Sequence, residues 1–261
     1  MTANRRQIVP LFICVHLIFI CGNTLRISFA GNATQPATSQ PSELDDARFS
    51  IGKLLYRDDF DKDSGQWSSE LENGGAVEIA GGRLDIDVPA GATVWFKPVL
   101  HGPVLIQYEA TVISAGGPND RVSDLNCFWM ARDSRNPADI FAVHRNGRFS
   151  DYNQLWTYYV GLGGNGNTTT RFRRYIGDPV QRPLRPEHDL RGSENMITAN
   201  ESQRIQLVAC GSIIQYCRDG RRLFDVADAH PYTSGWFALR TTKNHLQVRN
   251  FRIYGLIPRP R

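Results

Sequence analysis

Turn residues cut this chain into short pieces, and nothing else in it so limits what it can fold into. Apolar spacing of the helical kind is almost absent. In its place stand short runs rich in β-branched and aromatic residues, closed at regular intervals by Gly, Asn, Asp and Pro. Strands are expected over 54–60, 76–79, 83–87, 93–97, 104–113, 125–131, 154–160, 169–175, 203–209, 213–218, 221–226, 235–241 and 246–254. Asp219-Gly220 is a two-residue hairpin turn, and Ala80-Gly81-Gly82 marks another. So many strands in one domain predict an all-β fold of two packed antiparallel sheets, a β-sandwich or jelly roll. One long polar insertion, residues 176–200, is rich in Pro, Arg and acidic residues, and is expected on the surface beside a site.

The N-terminus sets that domain apart. Arg5 and Arg6 precede an apolar run over 8–21, and Ser28-Phe29-Ala30 forms a small-x-small site before Gly31. The run is short for a spanning helix. Residues 1–30 therefore read as a signal peptide, and the expectation is a secreted or periplasmic protein with no membrane span after processing. Residues 31–48, rich in Ala, Thr, Ser, Gln and Pro, read as a disordered linker. Residues 49–257 remain as one β-jelly-roll domain.

Charge argues against nucleic acid as a partner. The formal net charge of +4 includes three arginines of the signal, which carries no acidic residue. Without them, 27 basic residues face 26 acidic ones, near +1. Of five cysteines, Cys14 and Cys21 leave with the signal. Cys127, Cys210 and Cys217 remain, and the sequence favours buried free thiols over a disulfide. No spacing of His and Cys suggests zinc. Asp58, Asp59 and Asp61 leave a structural Ca²⁺ open, with plain solvation of a strand edge favoured over it. No other cofactor is indicated.

The stretch "YYVGLGGNGNTTTRFRRY", residues 158–175, carries the densest polar chemistry. Side chains alternate across a strand. With Phe172 turned to the core, Arg171 and Arg173 share the opposite face. Arg presents a planar fork that matches a carboxylate or sulfate bidentately. Gly161, Gly163, Gly164 and Gly166 allow close backbone approach, and Asn165 and Asn167 offer amides to sugar hydroxyls. Trp156 and Tyr158 alternate with Tyr159, so one set faces the core and the other a ligand. His188, between Glu187 and Asp189, is a candidate proton carrier against the plainer reading of a solvated loop histidine. Arg240 is a candidate third cation.

Several stretches resemble known families. Tyr56-Arg57-Asp58-Asp59-Phe60, then Trp67, then Gly82-Arg83-Leu84, look like the first strands of concanavalin-like jelly rolls of secreted carbohydrate-active proteins. "LNCFWMARD", the stretch over 158–175, and "DGRRLFDVADAHPYTSGWFALRTTKNHLQVRNFRIY" resemble the DUF6250 family, similar in outlook to the YesU-like proteins of pectin-degradation systems. The resemblance spans about 55–254. It implies a concanavalin-like jelly roll linked to polysaccharide use, with lyase action among its activities. It supplies no catalytic residue.

The sequence thus predicts a protein that binds an acidic polysaccharide or oligosaccharide. In the lyase version, Arg171 and Arg173 neutralise carboxylates, and Tyr158 or His188 moves the proton. Asn165, Asn167, Arg240 and Trp156 then hold the sugar. A non-catalytic carbohydrate-binding protein and a jelly-roll glycoside hydrolase stay open. No paired-carboxylate strand pattern supports the hydrolase.

Overall fold

The computed structural model describes Leu44 and residues 46–259. The signal peptide and most of the linker lie outside the described residues. The linker's last residues are not disordered as expected. Asp46 is buried, bonded to Arg48 and to Gln215 Nε2 at 2.7 Å, and Leu44 packs against an apolar cluster around Phe49 and Leu256.

Among the described residues fifteen strands form two antiparallel sheets, the all-β sandwich the sequence predicts. In chain order they are β1 (Phe49–Asp58), β2 (Trp67–Leu71), β3 (Ala76–Ala80), β4 (Arg83–Val88), β5 (Ala92–His101), β6 (Val104–Val112), β7 (Leu125–Asp133) and β8 (Leu155–Gly163). They continue as β9 (Thr169–Ile176), β10 (Asp189–Leu190), β11 (Ser202–Cys210), β12 (Ile213–Arg218), β13 (Arg221–Ala227), β14 (Ser234–Thr241) and β15 (Asn244–Pro258). One sheet runs β13-β12-β11-β6-β15-β4-β3, with β1 also paired to β15. The other runs β10-β9-β8-β7-β14-β5-β2. Asp219 and Gly220 both adopt positive φ, as a primed hairpin turn requires.

The core lies between the sheets. Across the second sheet, Val94, Leu239, Cys127, Val160 and Phe172 stand opposite one another and face inward. They meet Ile106, Tyr108, Leu207 and Tyr216 of the first sheet in one apolar cluster. Cys127, Cys210 and Cys217 are buried and free. Cys210 pairs across strands with Ile213, and Cys217 with Gln206, so the two are not opposed.

The outer face of the second sheet is unlike a solvated surface. One row, read across the strands, is Glu70, Thr93, Arg240, Asn126, Gly161, Arg171 and Asp189, polar apart from the glycine. The next outward-facing row is Ser68, Trp95, Ala238, Phe128, Tyr159 and Arg173, and it carries the aromatics. Residues 134–154, between β7 and β8, fold over this face where β2, β5 and β14 run. Arg145 donates to Glu70 Oε1 at 2.9 Å and Asp133 Oδ2 at 3.0 Å, and Tyr152 donates to Glu70 Oε2 at 2.7 Å. Trp95 and Phe128 are sealed beneath this roof, against the ring of its Tyr152.

Candidate functional site

Where the roof ends, the outer face of β8 and β9 stays open as a cleft of about 240 Å³. Tyr159, Gly161, Arg171 and Arg173 form its floor, and Phe149, Arg182, Asn165 and Asp124 stand around it. Strand register makes the floor, since Tyr159 opposes Arg173 and Gly161 opposes Arg171. Gly161 leaves room for Tyr159: a Cβ there would lie 2.7 Å from its hydroxyl, which folds over this position, and the ring would have to shift.

The site is rich in cation. Arg173 donates to the main-chain oxygen of Arg182, whose own guanidinium lies 4.9 Å from the Phe149 ring centre. Among the described residues neither is paired with a carboxylate. Burial, together with the nearby charges of Arg182 and Arg171, pushes the Arg173 pKa down. Burial holds the Tyr159 hydroxyl pKa well above its usual value, so the phenol keeps its proton at neutral pH. Asp124 accepts from Thr242 Oγ1 at 2.9 Å and pairs with Arg121 at 3.2 Å.

Arg171 and Arg173 share this face, as alternation around Phe172 requires. Arg171 is not free, however. Its Nε donates to Asp189 Oδ1 at 2.8 Å and its second nitrogen to Oδ2 at 3.3 Å, so its fork already holds a carboxylate. Asn165 borders the cleft and is exposed, with its amide donating to Thr169 Oγ1 at 3.3 Å. Arg240 lies in the same polar row but under the roof, fully buried. It donates to Gly147 O at 2.5 Å and Thr93 Oγ1 at 3.1 Å, with Tyr152 and Phe149 rings over it. Burial lowers its pKa.

Four expectations need correction. Tyr158 opposes Arg174, not Arg173, and points into the core. Its hydroxyl donates to Asp228 Oδ2 at 2.7 Å and accepts from Tyr232 N at 2.9 Å, and burial pushes its pKa up. Tyr159 occupies the cleft instead, because strand parity puts it on the arginine face. His188 is on the inner side of β9. Its ring stands edge-on to Phe172 at 5.0 Å in a separate, mostly apolar cleft of about 130 Å³, and burial lowers its pKa. Asn167 faces the chain itself, donating to Ile197 O and accepting from Ile197 N, each at 2.9 Å. Trp156 stands outside the cation-rich cleft, with Nε1 donating to Ile176 O at 3.1 Å.

Two of the three aspartates considered for calcium, Asp58 and Asp59, are engaged by the protein, and Asp61 is exposed. Asp58 accepts from Phe60 N, Ser64 Oγ and Trp67 Nε1, and Asp59 from Arg57 and Arg252. Among the described residues no group of three or more His, Cys, Asp or Glu comes together as a metal site.

Sequence reasoning missed Arg182, Phe149 and Thr242. Arg182 lies in the insertion expected beside a site, and that placement was its one available signal. Phe149 belongs to the roof, whose long-range contacts leave no local pattern.

The fold is shared with solved structures. A protein of unknown function with a galectin-like fold from Bacillus subtilis superimposes with a TM-score of 0.63 at 16% identity, covering 81% of this chain and all of that one. A variant of LamA from Zobellia galactanivorans, solved with laminaritriose and laminaritetraose, gives 0.52 at 12% identity over 78% of this chain and 100% of that one. β-Agarase A from Zobellia galactanivorans gives 0.51 at 12% over 87% and 98%. At these identities the likeness establishes the jelly-roll fold. No curated protein matches the chain. A family model described as a domain of unknown function, DUF6250, matches residues 86–251.

Proposed function

Starting from a chain that belongs to the DUF6250 family, we propose that it is a secreted carbohydrate-binding protein. It takes an acidic polysaccharide or oligosaccharide into the cleft on β8 and β9. One observation carries this reading: Arg173 and Arg182 crowd at the cleft with no carboxylate partner among the described residues. A carboxylate or sulfate on a sugar supplies the missing counter-charge. The jelly-roll fold supports the sugar class, because structures sharing it include a laminarioligosaccharide complex and an agarase. Titration calorimetry against acidic and neutral glycans tests it. Binding confined to acidic glycans is expected, and preference for neutral ones rejects it.

Cleavage by β-elimination is a second reading, favoured by the Tyr159 hydroxyl seated above Gly161 beside Arg173. Arg173 would neutralise the uronate carboxylate while Asp124, the carboxylate lining the cleft, takes the C5 proton as the bond to the leaving oxygen breaks. Tyr159, held protonated, suits the acid that meets the leaving group and not the resting base. A product absorbing in the ultraviolet is the expected sign of this chemistry. A hydrolase is less well supported. Asp189 is tied to Arg171 and Arg191, Glu70 to Arg145, Trp95 and Tyr152, and Asp124 to Arg121 and Thr242, so among the described residues no pair of free carboxylates stands at the cleft.

Export belongs to the same proposal, on the basis of residues 1–30. Mass spectrometry of the protein outside the cytoplasm should give an N-terminus near Gly31, and a soluble form retaining Met1 would contradict export.

A further inference from the structure

The cleft has a closed inner end. The polar row of the outer face continues from Gly161 through Asn126, Arg240 and Thr93, yet Asn126, Arg240 and Thr93 are all buried, at 2%, 1% and 0% exposure. A sugar chain lying across the strands along this row therefore meets the roof after Gly161. The roof is fastened and not merely laid over the sheet, since Arg145 and Tyr152 bind Glu70, and Arg240 binds Gly147 O.

A second wall closes the direction along β9. The insertion returns over Arg173, which donates to Arg182 O, and the Arg182 guanidinium lies against Phe149 of the roof. Insertion and roof thus touch above the floor, beyond Arg173. Among the described residues no hydrogen bond or ring contact joins the two segments on the side toward Asn165, Thr169 and Thr242. Ligand pockets for drug-sized molecules run about 300–1,000 Å³, and this cleft encloses about 240 Å³.

We propose that the cleft is specific for a chain end: one terminal, anionic sugar residue enters with its acidic group toward Arg173 and Arg182, and the rest of the glycan leaves past Asn165. This rests on the acidic-glycan reading and deepens it. An interior segment of a polymer needs a groove open at both ends, and here the Phe149–Arg182 contact blocks one of them.

The test is a length series on the full mature protein, using galacturonic acid oligomers and long oligogalacturonate, and the same for glucuronic acid. Binding is followed by calorimetry with concentrations expressed per chain. The expected result is one protein bound per chain at every length, with affinity unchanged beyond the first one or two residues. Stoichiometry that rises with chain length would overturn the chain-end proposal while leaving acidic-glycan binding intact. Absence of binding to any acidic sugar would remove the proposed function and this inference with it. Phe149→Ala, which removes one side of the blocking contact, should raise the number of proteins bound per long chain. Wild-type stoichiometry decides the matter if that variant does not fold.

Discussion

At the scale of single residues, two arginines that look equivalent in sequence are not equivalent in the fold. Arg171 spends its fork on Asp189, whereas Arg173 faces the cleft with a backbone carbonyl as its partner. Ligand binding should therefore depend on Arg173 more than on Arg171. Tyr158 shows the reverse case, a residue with attractive chemistry that the fold uses for packing. It joins Asp228 to the chain at Tyr232, beside Arg174, whose Nε reaches the same carboxylate at 2.7 Å. Tyr158→Phe leaves a buried acceptor and a backbone N–H without that partner. It should cost about 1–3 kcal/mol of stability in a denaturant titration and leave glycan binding unchanged. Loss of binding at full stability would return Tyr158 to the site.

At the scale of elements, the β8–β9 hairpin decides the site. Gly163, Asn165, Gly166 and Asn167 all take positive φ, so the loop is a left-handed turn that few residue types could make. Gly163 is also crowded: a Cβ would lie 2.4 Å from Ile197 Cδ1. Asn167 fastens this turn to the insertion through both bonds to Ile197. Asn167→Ala should lower stability by roughly 1–3 kcal/mol and raise amide exchange at Ile197. Exchange unchanged there would mean the clamp contributes nothing.

The strands themselves were legible, because period-two alternation and turn residues are local signals. β2 was not, since Trp67-Ser68-Ser69-Glu70-Leu71 carries little β-branched character. β10 is two residues long and makes no pattern. Which face of β9 was outward could be read from Phe172, but its register against β8 could not. A slip of one residue exchanges Tyr158 for Tyr159 at the arginine face. The roof over 134–154 was invisible for another reason, as it is held by Glu70, some seventy residues earlier.

At the scale of the molecule, several carboxylates hold the sandwich together through cations. Hydrogen bonds from Arg48 draw the Asp46 carboxyl far below its usual range. Burial opposes the same shift at Asp133 and Asp228. Arg135 and Arg145 outweigh it at Asp133, and Arg174 and Tyr158 outweigh it at Asp228. A folded-state pKa below the unfolded value of about 3.9 stabilises fully above that pH. The contribution is lost as pH falls through the folded value. Stability should therefore fall modestly below about pH 6.5, where burial opposes protonation of His188, and more steeply only below about pH 4, as followed by tryptophan fluorescence. A steep loss on acidification from pH 7 to 5 would contradict this.

The central claim is that an acidic glycan is held by the cation-rich cleft on the outer face of the second sheet. Calorimetry of oligogalacturonate with wild type, Arg173→Ala and Arg171→Ala tests it most directly. One charge-assisted bond contributes on the order of 1.5–3 kcal/mol, and about 1.4 kcal/mol is one decade of affinity. Arg173→Ala should weaken binding about tenfold or more, Arg171→Ala should do less, and Arg173→Lys should recover part of the loss. Wild-type affinity in a folded Arg173→Ala protein would contradict the account.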